Sequence, residues 1–511
     1  MERAASPSPN PPSAGNSDAL FWGSLFQNLN RSGSFLQLQI RQMIVTAIED
    51  GRLPLGTRMP SSRDLASILK VSRNTVVIAY EQLVDQNFLL SRQRSGFFVA
   101  GLPRTLTESH SSSARDEDTD LAACWQGRFA VQPSANRNIV KPADWLAHPY
   151  PFVFGQFDPG LFPTNDWRES ARAALSVSEI NNWARDLIDG DDPALIEQLQ
   201  LQVLPRRGIR ARPDEIMMTI GAQHALYLLA TLFIRPTTTI GIEDPGYPDA
   251  RNIFRLLTPN VVPLHVDADG LVPDAALEQC DIVYVTPSHQ CPTSVAMPLA
   301  RRKALLRAAK SAGSLLIEDD YESGLLPEGS EIPPLMSLDR DQNVLYVGSL
   351  SKALAPGLRL GYVVAPAPVI RELRALRRLM LRHPPLNNQR VAALFIGLGH
   401  YRTHMQQVAR VLMERAHMLD ELLPRHLTGC NWSRGAGSAH YWITCARGVD
   451  TTKLADAALA EGVVIEPGAV FSMDEQATRN AFRLGFTSIK TDRIEAGIQR
   501  LGAVIARASR G

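Results

Sequence analysis

The chain has 511 residues, 45% hydrophobic and 21% charged, with a formal net charge of +1, so length allows two or three domains and overall charge announces no polyanion partner. Five cysteines, odd in number and widely scattered without a Cys-x-x-Cys pair, argue against a disulfide framework or a zinc site. No run of 18 apolar residues occurs, which excludes an ordinary membrane-spanning helix.

Residues 1–30 are rich in Ser, Pro, Ala and Asn and read as a disordered lead without the apolar core of a signal peptide, so a cytoplasmic location is expected. Residues 31–101 read as a first domain. From Arg31 to Ala100 there are nine Lys/Arg against five Asp/Glu, which gathers positive charge where a nucleic-acid footprint could lie. Leu36, Ile40, Met43, Ile44, Ala47 and Ile48 fall at helical spacing, and Gly51 ends that helix. Ser61 and Asp64 mark a second helix start, with Ser61 as N-cap. Ser72 caps a third helix that carries Val76, Ala79, Tyr80 and Leu83.

Two short helices joined by a tight turn make a helix-turn-helix. The third helix opens Ser72-Arg73-Asn74-Thr75, which puts donors where a recognition helix meets bases and phosphates. Phe88–Leu90, the basic turn Ser91–Gly96 and Phe97–Val99 then read as a β-hairpin wing. Periodicity alone also fits a small helical oligomerisation module with solvated arginines.

Residues 35–100 resemble the winged helix-turn-helix of the GntR regulators. The resemblance is carried by Gly51-Arg52-Leu53-Pro54-x-Gly56, Met59-Pro60-Ser61-Ser62-Arg63-x-Leu65-Ala66, Val71-Ser72-Arg73-Asn74-Thr75-Val76 and Ser95-Gly96-Phe97-Phe98-Val99. It implies that Arg63 and Arg73 contact DNA and that Gly96 lets the wing approach the backbone. Asn87 and Arg94 stand where the family often has glycine.

Residues 102–148, with an acidic cluster and little periodicity, read as a linker. Residues 149–511 alternate strands and helices, the pattern of an α/β layer with a mainly parallel sheet. After the strand at Ile216–Ile220, Gly221-Ala222-Gln223 feeds a helix N-terminus, a ready-made anion site. Tyr247, fixed in Pro245-Gly246-Tyr247-Pro248 after another strand, can offer its ring face to a flat group. A carboxylate of Glu318-Asp319-Asp320, at the end of a strand, can pair with a protonated ring nitrogen, and Tyr321 follows with a hydroxyl able to donate. Two adjacent aspartates are also a common helix N-cap. The segment Ser349-Leu350-Ser351-Lys352, with Arg359 seven residues on, combines a desolvated lysine able to form an imine with donors for a phosphate. A surface lysine in a Gly/Ser loop is the plain alternative.

This segment resembles the Ser-x-Ser-Lys…Arg-x-Gly motif of fold-type I pyridoxal-phosphate enzymes. The turn at Gly221–Gln223, Tyr247 and the pair Asp319/Tyr321 match the same fold in order. Cys291 stands where aminotransferases usually have asparagine. Arg483, on a buried strand between Phe482 and Leu484, needs an anionic partner, and the resemblance implies that it grips an effector carboxylate.

Together the halves resemble the MocR/GabR transcription regulators. The fold expected is multidomain: a winged helix-turn-helix, then an α/β fold-type I aminotransferase-like domain with a smaller C-terminal α+β subdomain. The resemblance implies pyridoxal 5′-phosphate as cofactor, operator DNA as partner and a homodimer. It also implies an amine or amino-acid effector sensed by external aldimine formation at Lys352, with control of catabolic genes. Some stretches look closer to the ectoine-responsive regulators than to the GABA-responsive ones. The other reading is a working aminotransferase fused to a DNA-binding domain.

Overall fold

The computed structural model describes residues 22, 35–92, 95–100, 125, 127–322, 332–351 and 354–509. Lys352, most of the lead, Arg94 and residues 102–124 lie outside them. The chain divides into two compact units, Met1–Phe129 and Ala130–Gly511.

In the first unit, α1 (Leu36–Glu49) buries Ile40, Ile44 and Ala47 on one face. Helix α2 (Ser62–Leu69) starts where Ser61 Oγ accepts the amide of Asp64 at 3.2 Å. Helix α3 (Arg73–Asp85) starts in the same way at Ser72, whose Oγ accepts the amide of Thr75 at 3.1 Å. Each such cap is worth about 1 kcal/mol. Strands β1 (Leu89–Arg92) and β2 (Gly96–Val99) form an antiparallel hairpin, Arg92 opposite Gly96. Tyr80 joins helix and hairpin, its ring edge-on to Phe97 at 4.9 Å and its hydroxyl donating to the Pro60 carbonyl. Trp22 is a buried member of this core, so the lead contributes at least one packed side chain. Asn87, standing where glycine was expected, has a φ of 61°, which asparagine tolerates.

The second unit is built on an eight-stranded sheet. Its strands are β3 (Ile216–Thr219), β4 (Ile240–Asp244), β5 (Val261–Asp267), β6 (Gly270–Leu271), β7 (Ile282–Val285), β8 (Leu315–Asp320), β9 (Val344–Ser349) and β10 (Gly361–Val364), in the order β3-β10-β9-β8-β7-β4-β5-β6. From β9 through β8, β7 and β4 to β5 the neighbours are parallel, while β10 runs against both β9 and β3. Continuous burial along β3, β7 and β9 fits a sheet covered on both faces.

The direction of these strands positions the site. The C-terminal ends of β3, β4, β7, β8 and β9 lie on one edge of the sheet, and β10 begins there. Crevices beyond the carboxyl ends of parallel strands are where open α/β sheets hold ligands.

A smaller sheet, β11 (Asn431–Ser433), β12 (His440–Thr444), β13 (Glu466–Pro467) and β14 (Ala481–Gly485), has the order β11-β12-β14-β13. The long helix His400–His426 and the last helix, Ile494–Ala508, pack together, and Leu419, Leu423, Ile498 and Leu501 share a core with Tyr441 and Phe482 of the sheet.

The linker expectation needs correcting at its C-terminal end. The second unit begins at Ala130, not at residue 149. Arg137 donates to the carbonyls of Ala469, Ser472 and Met473 and pairs with Glu475 at 2.9 Å. These long-range contacts leave no trace in local periodicity.

Candidate functional site

A cavity of about 330 Å³ opens at the carboxyl edge of the large sheet. Gly221, Ala222, Gln223, Tyr247, Asp319, Tyr321, Ser349, Ser351, Arg359 and Arg483 all line it, so nine cofactor-site candidates and the effector-site candidate meet in one place. Lys352, the tenth cofactor candidate, directly follows Ser351 in the chain.

Gly221 opens the helix Gly221–Phe233 with a φ of 75°. A Cβ there would stand 2.6 Å from Arg359 Nη2, so the turn and the guanidinium can approach only because this residue has no side chain. Arg359 donates to the Ile220 carbonyl at 3.2 Å, which fixes its charge beside the helix's free amides. The dipole, the amides and the arginine together favour an anion. Ser351 contributes differently from expectation. Its hydroxyl accepts from the Leu360 amide at 2.7 Å and donates to the Leu360 carbonyl at 3.1 Å, so it holds the turn that carries Arg359.

Asp319 is the penultimate residue of β8, inside the strand and not a helix cap. It is 3% exposed, and Tyr284 donates to its Oδ2 at 2.9 Å. The Tyr321 hydroxyl is buried without a hydrogen-bond partner among the described residues, and burial pushes its pKa well above the usual value. It is therefore a protonated donor facing a cavity. Tyr247 donates to Asp249 Oδ2 at 3.0 Å, and Gln223 donates to the same oxygen.

Arg483 is 2% exposed, and its anionic partner is the protein's own Glu466, at 2.7 Å across β13 and β14. Phe154 and Phe471 sandwich the guanidinium at 4.5 and 4.7 Å. Lys141 also reaches Glu466, at 3.1 Å. Burial opposes the Glu466 charge, but the two cations more than offset it and hold the carboxyl below its ordinary range. Cys291 closes this end, its sulfur 3.9 Å from Arg483 Nη1. His289 is a buried loop histidine bonded to the Ala436 carbonyl.

In the first unit, Arg63, Ser72, Arg73, Asn74 and Gly96 are exposed and Thr75 is half-buried. The Ser72 and Thr75 hydroxyls bond each other at 2.8 Å, which leaves Arg73 and Asn74 as the free side chains at the start of α3. The wing carries Arg92, stacked over Phe98 at 4.9 Å.

Residues 36–99 match the family of bacterial regulatory proteins, gntR family, and residues 158–501 match aminotransferase class I and II. The HTH-type transcriptional regulator TauR of Rhodobacter capsulatus is 40% identical over 92% of this chain and 96% of its own. The chain belongs to the MocR/GabR-type transcription regulators.

This regulator is also 29% identical, over 76% of its length and 77% of the relative's, to the "Probable rhizopine catabolism regulatory protein MocR" of Rhizobium meliloti. Its second unit is similar to the Pyrococcus horikoshii kynurenine aminotransferase solved in complex with PMP. That likeness has a TM-score of 0.67 and 25% identity, and covers 75% of the regulator and 98% of the enzyme chain. Its fold is thus a GntR DNA-binding domain followed by an aminotransferase class I and II α/β domain.

Several residues of the regulator's site escape sequence reasoning. Tyr284 sits in an apolar run that points only to a strand; its hydroxyl role depends on β7 lying beside β8. Glu466 could have been suspected, because a buried arginine demands a carboxylate. Ile139 and Lys141 had no signal at all. They line the cavity from a stretch without periodicity.

Proposed function

We propose that this regulator binds pyridoxal 5′-phosphate in the cavity and uses it to sense a small amine or amino acid, adjusting how a homodimer holds operator DNA. The observation that carries the reading is the convergence of Asp319, Tyr321, Tyr247, the Gly221 turn and Arg359 around one cavity, in a chain that also bears a GntR domain.

The residues present fit the cofactor. An orphaned Tyr321 hydroxyl suits a phenolic oxygen, and the Gly221 cradle suits a phosphate. Bound there, the cofactor supplies an aldehyde that condenses reversibly with primary amines. Lys352 is the attachment residue in this reading. Asp319, held by Tyr284, keeps the ring nitrogen protonated. Tyr247 covers a ring face, and Ser349, Arg359 and the amides of Gly221–Gln223 hold the phosphate. Arg483 orients an acidic group of the effector. Arg63, Arg73 and Asn74, with Ser72 and Thr75 shaping the helix start and Gly96 the wing, form the DNA surface.

The role is sensing in the cytoplasm, not turnover, with catabolic genes as the target. Titration of the purified, cofactor-loaded protein with primary amines tests this by visible absorption, alongside operator binding. A band that shifts with one amine, stays put and changes operator affinity is expected. Decay of the band to the amino form of the cofactor, reversed by a keto acid, would make the protein an enzyme and overturn the reading.

A further inference from the structure

The five cysteines are scattered in sequence, yet the fold brings two of them together. Asn431, Trp432 and Ser433 of β11 stand opposite Thr444, Ile443 and Trp442 of β12. One step further along this register sets Cys430 against Cys445. Their sulfurs lie 3.6 Å apart, and both thiols are free. Residues directly opposite across an antiparallel pair have Cα atoms about 4.5–5.5 Å apart, inside the span that a disulfide bridges. Closing the sulfurs to the bonding distance of about 2 Å asks only for side-chain rotation.

The backbone is fixed on both sides of the pair. Cys430 donates its amide to the Leu427 carbonyl at 3.2 Å, just beyond the long helix. Cys445 donates its amide to the Asn480 carbonyl at 2.8 Å, and its own carbonyl accepts from Asn480 Nδ2 at 2.7 Å. The two thiols differ in access. Cys445 is 4% exposed and belongs to the core, whereas Cys430 is half-buried beside β11, the edge strand of the smaller sheet. A hydrogen bond from Cys445 lowers the Cys430 pKa against the effect of burial, while the same bond and burial push Cys445 up. Cys280 and Cys291 stand elsewhere: Cys280 donates to the Ala276 carbonyl, and Cys291 lines the cavity.

We propose that Cys430 and Cys445 form a redox-active pair that a low-molecular-weight disulfide converts into a reversible cross-link, Cys430 attacking and Cys445 resolving. As a thiolate, Cys430 attacks the small disulfide, which gives a mixed disulfide on Cys430 and releases one small thiolate. Cys445 then attacks the Cys430 sulfur, its proton passing to the thiolate released first, and the second small thiolate leaves. Two protein thiols are oxidised and one small disulfide is reduced to two thiols. Where thiols are kept reduced such bonds are transient, which suits a signal better than a permanent staple. The cross-link clamps the open end of the β11–β12 hairpin. The other end of that hairpin meets the loop that carries Cys291, since Ser433 donates to the Thr293 carbonyl at 2.8 Å and the Gly435 amide donates to Ser294 Oγ at 3.2 Å. This site is independent of the sensing function proposed above.

The test treats the folded, full-length, cofactor-loaded protein with bis(2-hydroxyethyl) disulfide, which carries no amine to react with the cofactor. Cys124 is first changed to serine, Cys124→Ser, which leaves four of the five cysteines. Remaining thiols are then blocked with a maleimide and the peptides mapped by mass spectrometry. A peptide linked through Cys430 and Cys445 is expected, with the loss of two of the four titratable thiols and their recovery after a phosphine reductant. Cys445→Ala should stop at one mercaptoethanol adduct on Cys430, and Cys430→Ser should take up none at Cys445. The linked peptide is read without either variant, so a variant that fails to fold leaves the test intact. A link that joins Cys280 or Cys291 instead, or that forms only after denaturant is added, overturns the proposal. So does a protein that keeps all four thiols. An adduct on Cys445 in the Cys430→Ser variant would overturn the assigned order of attack.

Discussion

Asp319 and Asp320 are consecutive on β8, and the strand's period of two sends their side chains to opposite faces. Asp319 lines the cavity, while Asp320 pairs with Arg207 at 2.8 Å and accepts from Tyr346 at 2.7 Å. Burial alone would raise the Asp320 carboxyl, but Arg207 overrides it and holds the pKa below its ordinary 3.8. A depressed folded-state pKa contributes stability that is present above the unfolded value and is lost as pH falls through the folded one. Stability from this pair should therefore persist at neutral pH and fade below about pH 4. Asp320→Asn leaves Arg207 buried without its counter-ion and is expected to cost about 3–5 kcal/mol in denaturant unfolding. Asp319→Asn should leave unfolding nearly unchanged and weaken cofactor retention, read by the visible band after dialysis. A larger stability loss at Asp319 than at Asp320 would reverse these assignments.

At the scale of elements, two turns carry the functional load. The Gly221 turn exists because a positive φ and an approaching guanidinium both exclude a side chain. Gly221→Ala is expected to cost about 1–2 kcal/mol in backbone strain and to displace Arg359, which fluorescence titration with the cofactor would register as weakened binding. The other turn leads into α3. Its geometry leaves Arg73 free while Ser72 and Thr75 bond each other. Arg73→Ala should weaken operator binding by about 1–3 kcal/mol if it reads a base, or lower the salt slope by about one if it meets a phosphate. Operator affinity and slope both unchanged would remove it from the interface. These turns were legible in the sequence because caps and glycines act locally: Ser61, Ser72 and Gly221 each announce a helix start within four residues. Tyr284, Glu466 and Lys141 were not, because each acquires its role from a strand or segment distant in the chain. Ser351 lines the cavity, but its hydroxyl serves the Leu360 backbone.

For the molecule as a whole, the stretch that matches the gntR family and the stretch that matches aminotransferase class I and II fall in separate compact units. Lys352→Ala should abolish the response to amines while operator binding in their absence remains near wild type, measured by gel shift with and without the amine. A variant that still responded normally would show that imine chemistry at Lys352 is not the signal. The order of the two domains was readable from motif blocks alone, since the blocks for DNA and for cofactor never interleave. Where the second unit begins was not, because Arg137 and Lys141 join it through carbonyls and carboxylates more than 300 residues away.

The hold of Arg137 on the loop at 469–473 decides where the chain can be cut. Arg251 grips the same loop, donating to the carbonyls of Val470 and Ser472 at 3.0 and 3.1 Å, so two arginines brace a loop whose Phe471 ring lies against the cavity-lining Arg483. A shortened chain beginning at Ala130 keeps both braces and should bind cofactor and amine as the full chain does. One beginning at Pro149 loses a brace, a wall residue and a cation together. It should fold around the large sheet yet release the cofactor readily, and limited proteolysis should cut its 469–473 loop faster than in the longer chain.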